Sequence, residues 1–119
     1  MATLSQGAAP NVVSANQYDE RGPTVLSLAL SPSAVSANTT AEQTFTASGV
    51  AVGDVVIAIN KPTAQAGLGI VGFRVTAANT IGITFSNNTG AGITPTAAET
   101  YLVALYRPAY VAAKTSFEG

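Results

Sequence analysis

The sequence predicts an all-β fold: a single antiparallel β-sandwich or barrel-like domain with extended N- and C-terminal arms. Three observations predict it. Six short stretches show a two-residue apolar period or an apolar β-branched run. Clusters of Gly, Pro, Asn, Asp and Ser separate them. No stretch carries the apolar spacing of an amphipathic helix of about three turns. The 119 residues fit one domain, and a domain of that size buries a core without metals or disulfides.

The first expected strand covers residues 24–30, TVLSLAL, with Leu26, Leu28 and Leu30 on one face and Val25, Ser27 and Ala29 on the other. Ser31-Pro32-Ser33 stops it, since proline cannot donate to a ladder. Residues 33–41 read as a loop or irregular edge. A second strand over 42–48 alternates around Phe45 and ends at Gly49, and Gly53-Asp54 makes a turn in which the Asp54 side chain caps the local backbone. The apolar run Val55-Val56-Ile57-Ala58-Ile59 reads as the strand buried on both faces. It ends at Asn60-Lys61-Pro62, ahead of a small-residue loop over 62–69.

Residues 70–76 form the fourth expected strand, with Phe73 and Val75 on one side and Arg74 on the other. Ala78-Asn79 turns the chain into residues 80–86, where Ile81, Ile83 and Phe85 point inward. Asn87-Asn88-Thr89-Gly90 supplies residues that tolerate positive φ. The last expected strand, TYLVALY over 100–106, closes at Arg107-Pro108. Phe45, Phe73, Phe85 and Tyr101 are the expected aromatic core. This divides the chain into an N-terminal arm, 1–23, a β-sandwich core, 24–107, and a C-terminal arm, 108–119. The arms read as segments that lie on a partner. Tyr18, Tyr110 and Phe117 are their candidate anchors, because an isolated aromatic in a polar arm gains nothing in water but fills a neighbour's pocket well.

Composition removes most chemistry. There are no cysteines, so no disulfide and no thiolate metal site. There is no histidine, the usual general base and commonest metal ligand. Charged residues make up 9% of the chain, against about 25% in an ordinary soluble domain. The net charge is −1 and the five basic residues are scattered, which excludes an electrostatic nucleic-acid binder. A surface so poor in charge desolvates easily and suits packing against neighbours. Of the carboxylates, Glu42 and Glu99 fall at the start of an expected strand, Glu42 as its first residue and Glu99 just before it, where a solvated carboxylate is ordinary. A serine nucleophile could find its base only in Lys61 or Lys114, and neither sits in a nucleophile motif. Gly67-x-Gly69-x-x-Gly72 matches the dinucleotide fingerprint literally, but lacks the preceding strand, the following helix and the acid about 20 residues on. Asn38-Thr39-Thr40 and Asn87-Asn88-Thr89 match the glycosylation sequon and are read as turn chemistry. No catalytic, cofactor-binding or metal-binding residue is expected, and the chain is read as non-enzymatic. Met1-Ala-Thr-Leu-Ser-Gln-Gly has no signal-peptide character, and no apolar run reaches the length of a membrane span.

One block carries a resemblance: residues 36–75, S-A-N-T-T-A-E-Q-T-F-T-A-S-G-V-A-V-G-D-V-V-I-A-I-N-K-P-T-A-Q-A-G-L-G-I-V-G-F-R-V, continued by A-A-N-T-I-G-I-T-F-S-N-N-T-G-A-G-I-T-P-T-A-A-E-T-Y-L-V-A-L. The features are the strand–Gly–Asp–strand centred on Asp54, the Lys61-Pro62 loop with Gly67-Leu68-Gly69, the Arg74-Val75 strand, and the Ile93-Thr94-Pro95 loop. Over residues 31–107 the chain resembles small virion structural proteins of tailed bacteriophages, in particular capsid decoration (cement) proteins. The resemblance implies a β-sandwich or barrel subunit without catalytic residues or cofactors. Its expected partners are the major capsid protein or other virion proteins and further copies of itself, a trimer being favoured; neither nucleic acid nor membrane is expected. It would assemble in the host bacterial cytoplasm and end on the capsid surface. Two alternatives stay open. One is a tail or head–tail connector subunit. The other is a carbohydrate-binding module of a fibre or baseplate, whose stacking face would need Tyr101, Tyr106 and Tyr110 exposed together.

Overall fold

A computed structural model of the protein describes residues 23–108. Residues 1–22 and 109–119, and with them Tyr18, Tyr110 and Phe117, lie outside the described residues. The chain divides into two units. One is Val25–Leu105, and the other comprises Met1–Thr24 with Tyr106–Gly119.

Six strands follow in order: β1 (Thr24–Leu30), β2 (Thr39–Thr46), β3 (Val55–Asn60), β4 (Leu68–Ala77), β5 (Thr80–Asn87) and β6 (Glu99–Tyr106). They form two three-stranded antiparallel sheets, ordered β1-β6-β3 and β2-β5-β4. The all-β fold read from the sequence is therefore the fold observed, and no helix occurs among the described residues. β5 is the middle strand of its sheet. It pairs Thr39↔Asn87 through Thr46↔Thr80 on one side and Leu68↔Asn87 through Ala77↔Thr80 on the other. The β4 side carries two bulges, between Ile70 and Gly72 and between Val75 and Ala77. Bulges on an edge strand twist it and discourage further pairing.

The inner faces of both sheets supply one core. Toward one end Ala47, Val50, Val56, Ile81, Val103 and Leu105 pack together. Toward the other Leu30, Val35, Ile83, Phe85 and Tyr101 do so. Leu28, Phe45 and Ile59 touch both groups. The alternations read for β1 and β5 hold: Leu30 is buried with Leu26 and Leu28 packed on the core, and Ile81, Ile83 and Phe85 are fully enclosed.

Two expectations fail. β3 is not buried on both faces: Val56 faces the core, while Val55 is 51% and Ile57 49% exposed. An apolar, β-branched run needs layers on both sides to be buried twice, and β3 is an edge strand of a two-layer structure. The middle strand β5 is the more enclosed one. Phe73 is not core either. It pairs with Ile83, but on the edge strand β4 it stays 36% exposed and outside both core groups.

Turns carry the backbone load. Asn79 adopts a φ of 58° in the β4–β5 turn. Its carbonyl accepts from the Ala47 amide, its own amide donates to Val50, and its Oδ1 accepts from the Gly49 amide. One residue thereby pins the β2–β3 connection. Asp54 Oδ2 accepts from the Ala51 amide, the local cap read from the sequence. Residues 39–41, read as loop, extend β2 instead. Outside the strands, Val35 and Ile93 exchange both backbone hydrogen bonds.

Candidate functional site

The two loops that carry the resemblance meet. β3 ends at Asn60, and Lys61 turns inward to 10% side-chain exposure. Its ammonium donates to the Thr63 carbonyl and to Gln65 Oε1 at 2.9 Å, and lies 3.3 Å from Glu99 Oε1. Gln65 then binds the 94–96 loop. Its Oε1 accepts from the Thr96 amide (2.9 Å) and hydroxyl (3.3 Å), and its Nε2 donates to the Thr94 carbonyl (3.1 Å). Gly67 completes the junction. Its carbonyl accepts from Asn88, and a Cβ there would lie 2.2 Å from Thr89 Cγ2. Its φ of 81° and that contact both require glycine. Gly69 and Gly72 lie on β4, so the fingerprint-like glycines sit on a strand and cradle no helix terminus.

Glu99 corrects another expectation. It is the first residue of β6 and only 8% exposed, not solvated. The Thr63 hydroxyl, then the Lys61 ammonium, hold its carboxyl below the ordinary value, against the opposing cost of burial. Neither carboxylate oxygen has a partner in hydrogen-bond geometry, so this attraction is charge–dipole and charge–charge at close range. Tyr101, two residues on along the same inner face, is fully buried with an unpartnered hydroxyl. Burial, then the Glu99 charge, push its pKa up to about 12.

A cavity of about 170 Å³ adjoins this cluster, lined by Ile59, Lys61, Gln65, Leu68 and Ile70 among others. The chemistry it offers is limited. Lys61 is committed to three acceptors, none of them a serine. Among the described residues no three His, Cys, Asp or Glu side chains gather to hold a metal. The arrangement ties loops together at the sandwich end, with its charge neutralised within.

A second hub escaped sequence reasoning. Asn87 is 1% exposed. Its Nδ2 donates to the Val35 and Ala91 carbonyls, and its Oδ1 accepts from the Thr89 amide and hydroxyl. A side chain so engaged is not a glycan acceptor. Nothing in N-N-T-G distinguishes this role from an exposed turn, because the partner Val35 is far off in sequence.

The outer faces of the two sheets differ. On β2-β5-β4 the face is Thr40, Glu42, Thr44, Thr46, Thr80, Gly82, Thr84 and Ser86, with Arg74 reaching across. Arg74 grips Glu42 bidentately, Nε to Oε2 at 2.8 Å and Nη2 to Oε1 at 2.9 Å. The pair spans the middle strand over Gly82, where a Cβ would come within 2.4 Å of Glu42 Oε2. On β1-β6-β3 the outer positions are Val25, Ser27 and Ala29, Thr100, Leu102 and Ala104, and Val55 and Ile57. None is charged, and Val25, Val55, Ile57 and Leu102 are all exposed.

Tyr101 cannot serve a stacking face, being enclosed, and Tyr106 is half-buried. The grouped exposed aromatics that a carbohydrate module would need are absent at these two positions. Comparison with protein-family models, with curated proteins and with solved structures returns no match. No helix among the described residues is long and apolar enough to cross a membrane.

Proposed function

We propose that the protein is a non-enzymatic virion structural protein of a tailed bacteriophage. In this reading it is a capsid decoration protein that binds the head shell and stabilises it, working as a homo-oligomer on the capsid surface. The observation that carries the reading is the uncharged, apolar outer face of the β1-β6-β3 sheet on an otherwise self-contained sandwich. A monomer that works alone in water gains nothing from such a face, whereas a lattice subunit buries it. The charge-poor composition and the resemblance over residues 31–107 point the same way. A lattice protein acts through buried area repeated many times over, and needs rigid loops more than reactive groups. The Lys61–Gln65–Glu99 tie and the Asn87 hub suit that need.

A tail or connector subunit would rest on the same physics, and the site of attachment separates the two. The test is co-sedimentation of the purified full-length chain with expanded heads that lack it. Binding is expected, with a higher temperature of shell disruption. Deleting residues 1–22 should abolish binding while leaving the far-ultraviolet β signal intact. Absence of binding to heads, or full binding by the truncated chain, would overturn the reading or its arm component respectively.

A further inference from the structure

We infer that the outer face of the β1-β6-β3 sheet is a self-pairing surface whose occupant is the same face of a second copy of this chain. The inference stands apart from any capsid, since it concerns the isolated chain. Three observations select that occupant. First, charge: a two-fold contact sets the same patch of both copies face to face, so like charges on that patch are brought together and repel. This face passes that requirement, with no charged residue at any outward position of its three strands, whereas the opposite sheet face carries Glu42 and Arg74. Second, chemistry: Val25 (60% exposed), Leu102 (39%), Val55 and Ile57 offer aliphatic bulk without basic groups, and the one ring at an outward strand position, Tyr106 at the end of β6, is half-buried. A phosphate-bearing partner would want cations and a sugar would want rings; another aliphatic sheet face wants neither. Third, shape: sheets twist with one hand, so two copies of one sheet present matching curvature and pack aligned.

The contact is isologous and closes at two chains, which departs from the trimer favoured by the sequence reading. Sedimentation equilibrium of the purified full-length chain over a wide concentration range tests it. The expected result is a reversible equilibrium reaching twice the chain mass. Ile57→Glu and Ile57→Lys should each weaken association by about tenfold or more. Thr44→Glu, on the opposite sheet face, should leave the equilibrium unchanged. A single-chain mass throughout, a three-chain mass, or pairing that persists in both Ile57 variants would each overturn the inference. If the Ile57 variants do not fold, the wild-type mass and Val25→Glu give the same decision. Head binding without pairing would sink this inference alone, and pairing without head binding would sink only the decoration reading.

Discussion

The two middle strands, β5 and β6, place polarity on opposite sides. β5 turns Ile81, Ile83 and Phe85 inward and Thr80, Thr84 and Ser86 outward, under an exposed Glu42–Arg74 pair. β6 turns Glu99 and Tyr101 inward with Val103 and Leu105, and shows Thr100, Leu102 and Ala104 outside. Among the described residues an ion pair is associated with each sheet. One is displayed on the polar face, and the other is enclosed between loops behind an apolar face. A strand's alternation reveals that its two faces differ. It does not say which face meets water when neither is strongly charged.

The largest expected effect tests whether both sheets share one core. Phe85→Ala should cost about 3–5 kcal/mol and lower a single cooperative unfolding transition. Two separate transitions in a denaturant titration would break the comparison, because the sheets would then be independent. Next comes the enclosed pair. Glu99→Gln leaves the Lys61 ammonium buried without its counter-charge, and should lower the urea midpoint more than Glu42→Gln does on the displayed pair. Equal shifts would show that enclosure makes no difference.

Acid and alkali sharpen the same contrast. Glu42, through its hydrogen bond from Arg74, and Glu99, through Thr63, both have carboxyls held below their ordinary value. Their contribution is present above the unfolded carboxylate pKa and is lost as pH falls through the lower folded one. In Tyr101 the folded pKa is raised, so its neutral hydroxyl favours folding below about pH 10 and that contribution drains away as pH rises toward about 12. Tyr101→Phe should therefore flatten the alkaline limb of a stability–pH curve. Near neutrality it should be neutral or stabilising, because the buried hydroxyl has no partner. A loss above about 1 kcal/mol at pH 7 would mean that the hydroxyl is bonded after all.

Smaller still is Ala98→Gly at the entrance to β6. Ala98 sits at a φ of 54°, a region that costs a non-glycine residue roughly 1–2 kcal/mol. Differential scanning calorimetry should show a gain of about 1 kcal/mol, less the chain entropy that glycine adds. The smallest effect concerns the displayed pair. A double-mutant cycle on Glu42 and Arg74 should give a weak, salt-screened coupling, further reduced in Gly82→Ala, where a Cβ displaces the Glu42 carboxylate.

By itself the sequence determined the class of structure and most of its strands, since a period of two with Gly, Asn and Pro between is a local property of the chain. Leu26, Leu28 and Leu30, then Ile81, Ile83 and Phe85, were legible as core; Asp54 and Asn79 were legible as turn residues. Tertiary structure decided what depends on distant partners. The Val55–Ile59 run reads as doubly buried only until β3 is found at a sheet edge with no third layer over it. Glu99 reads as solvated until Lys61 and Gln65 fold over from the β3–β4 loop. Asn87 reads as a turn until Val35, 52 positions away, presents its carbonyl. The physical reason is common to all three. Hydrophobic periodicity reports which residues could be covered, whereas coverage itself is a contact between segments far apart in the chain.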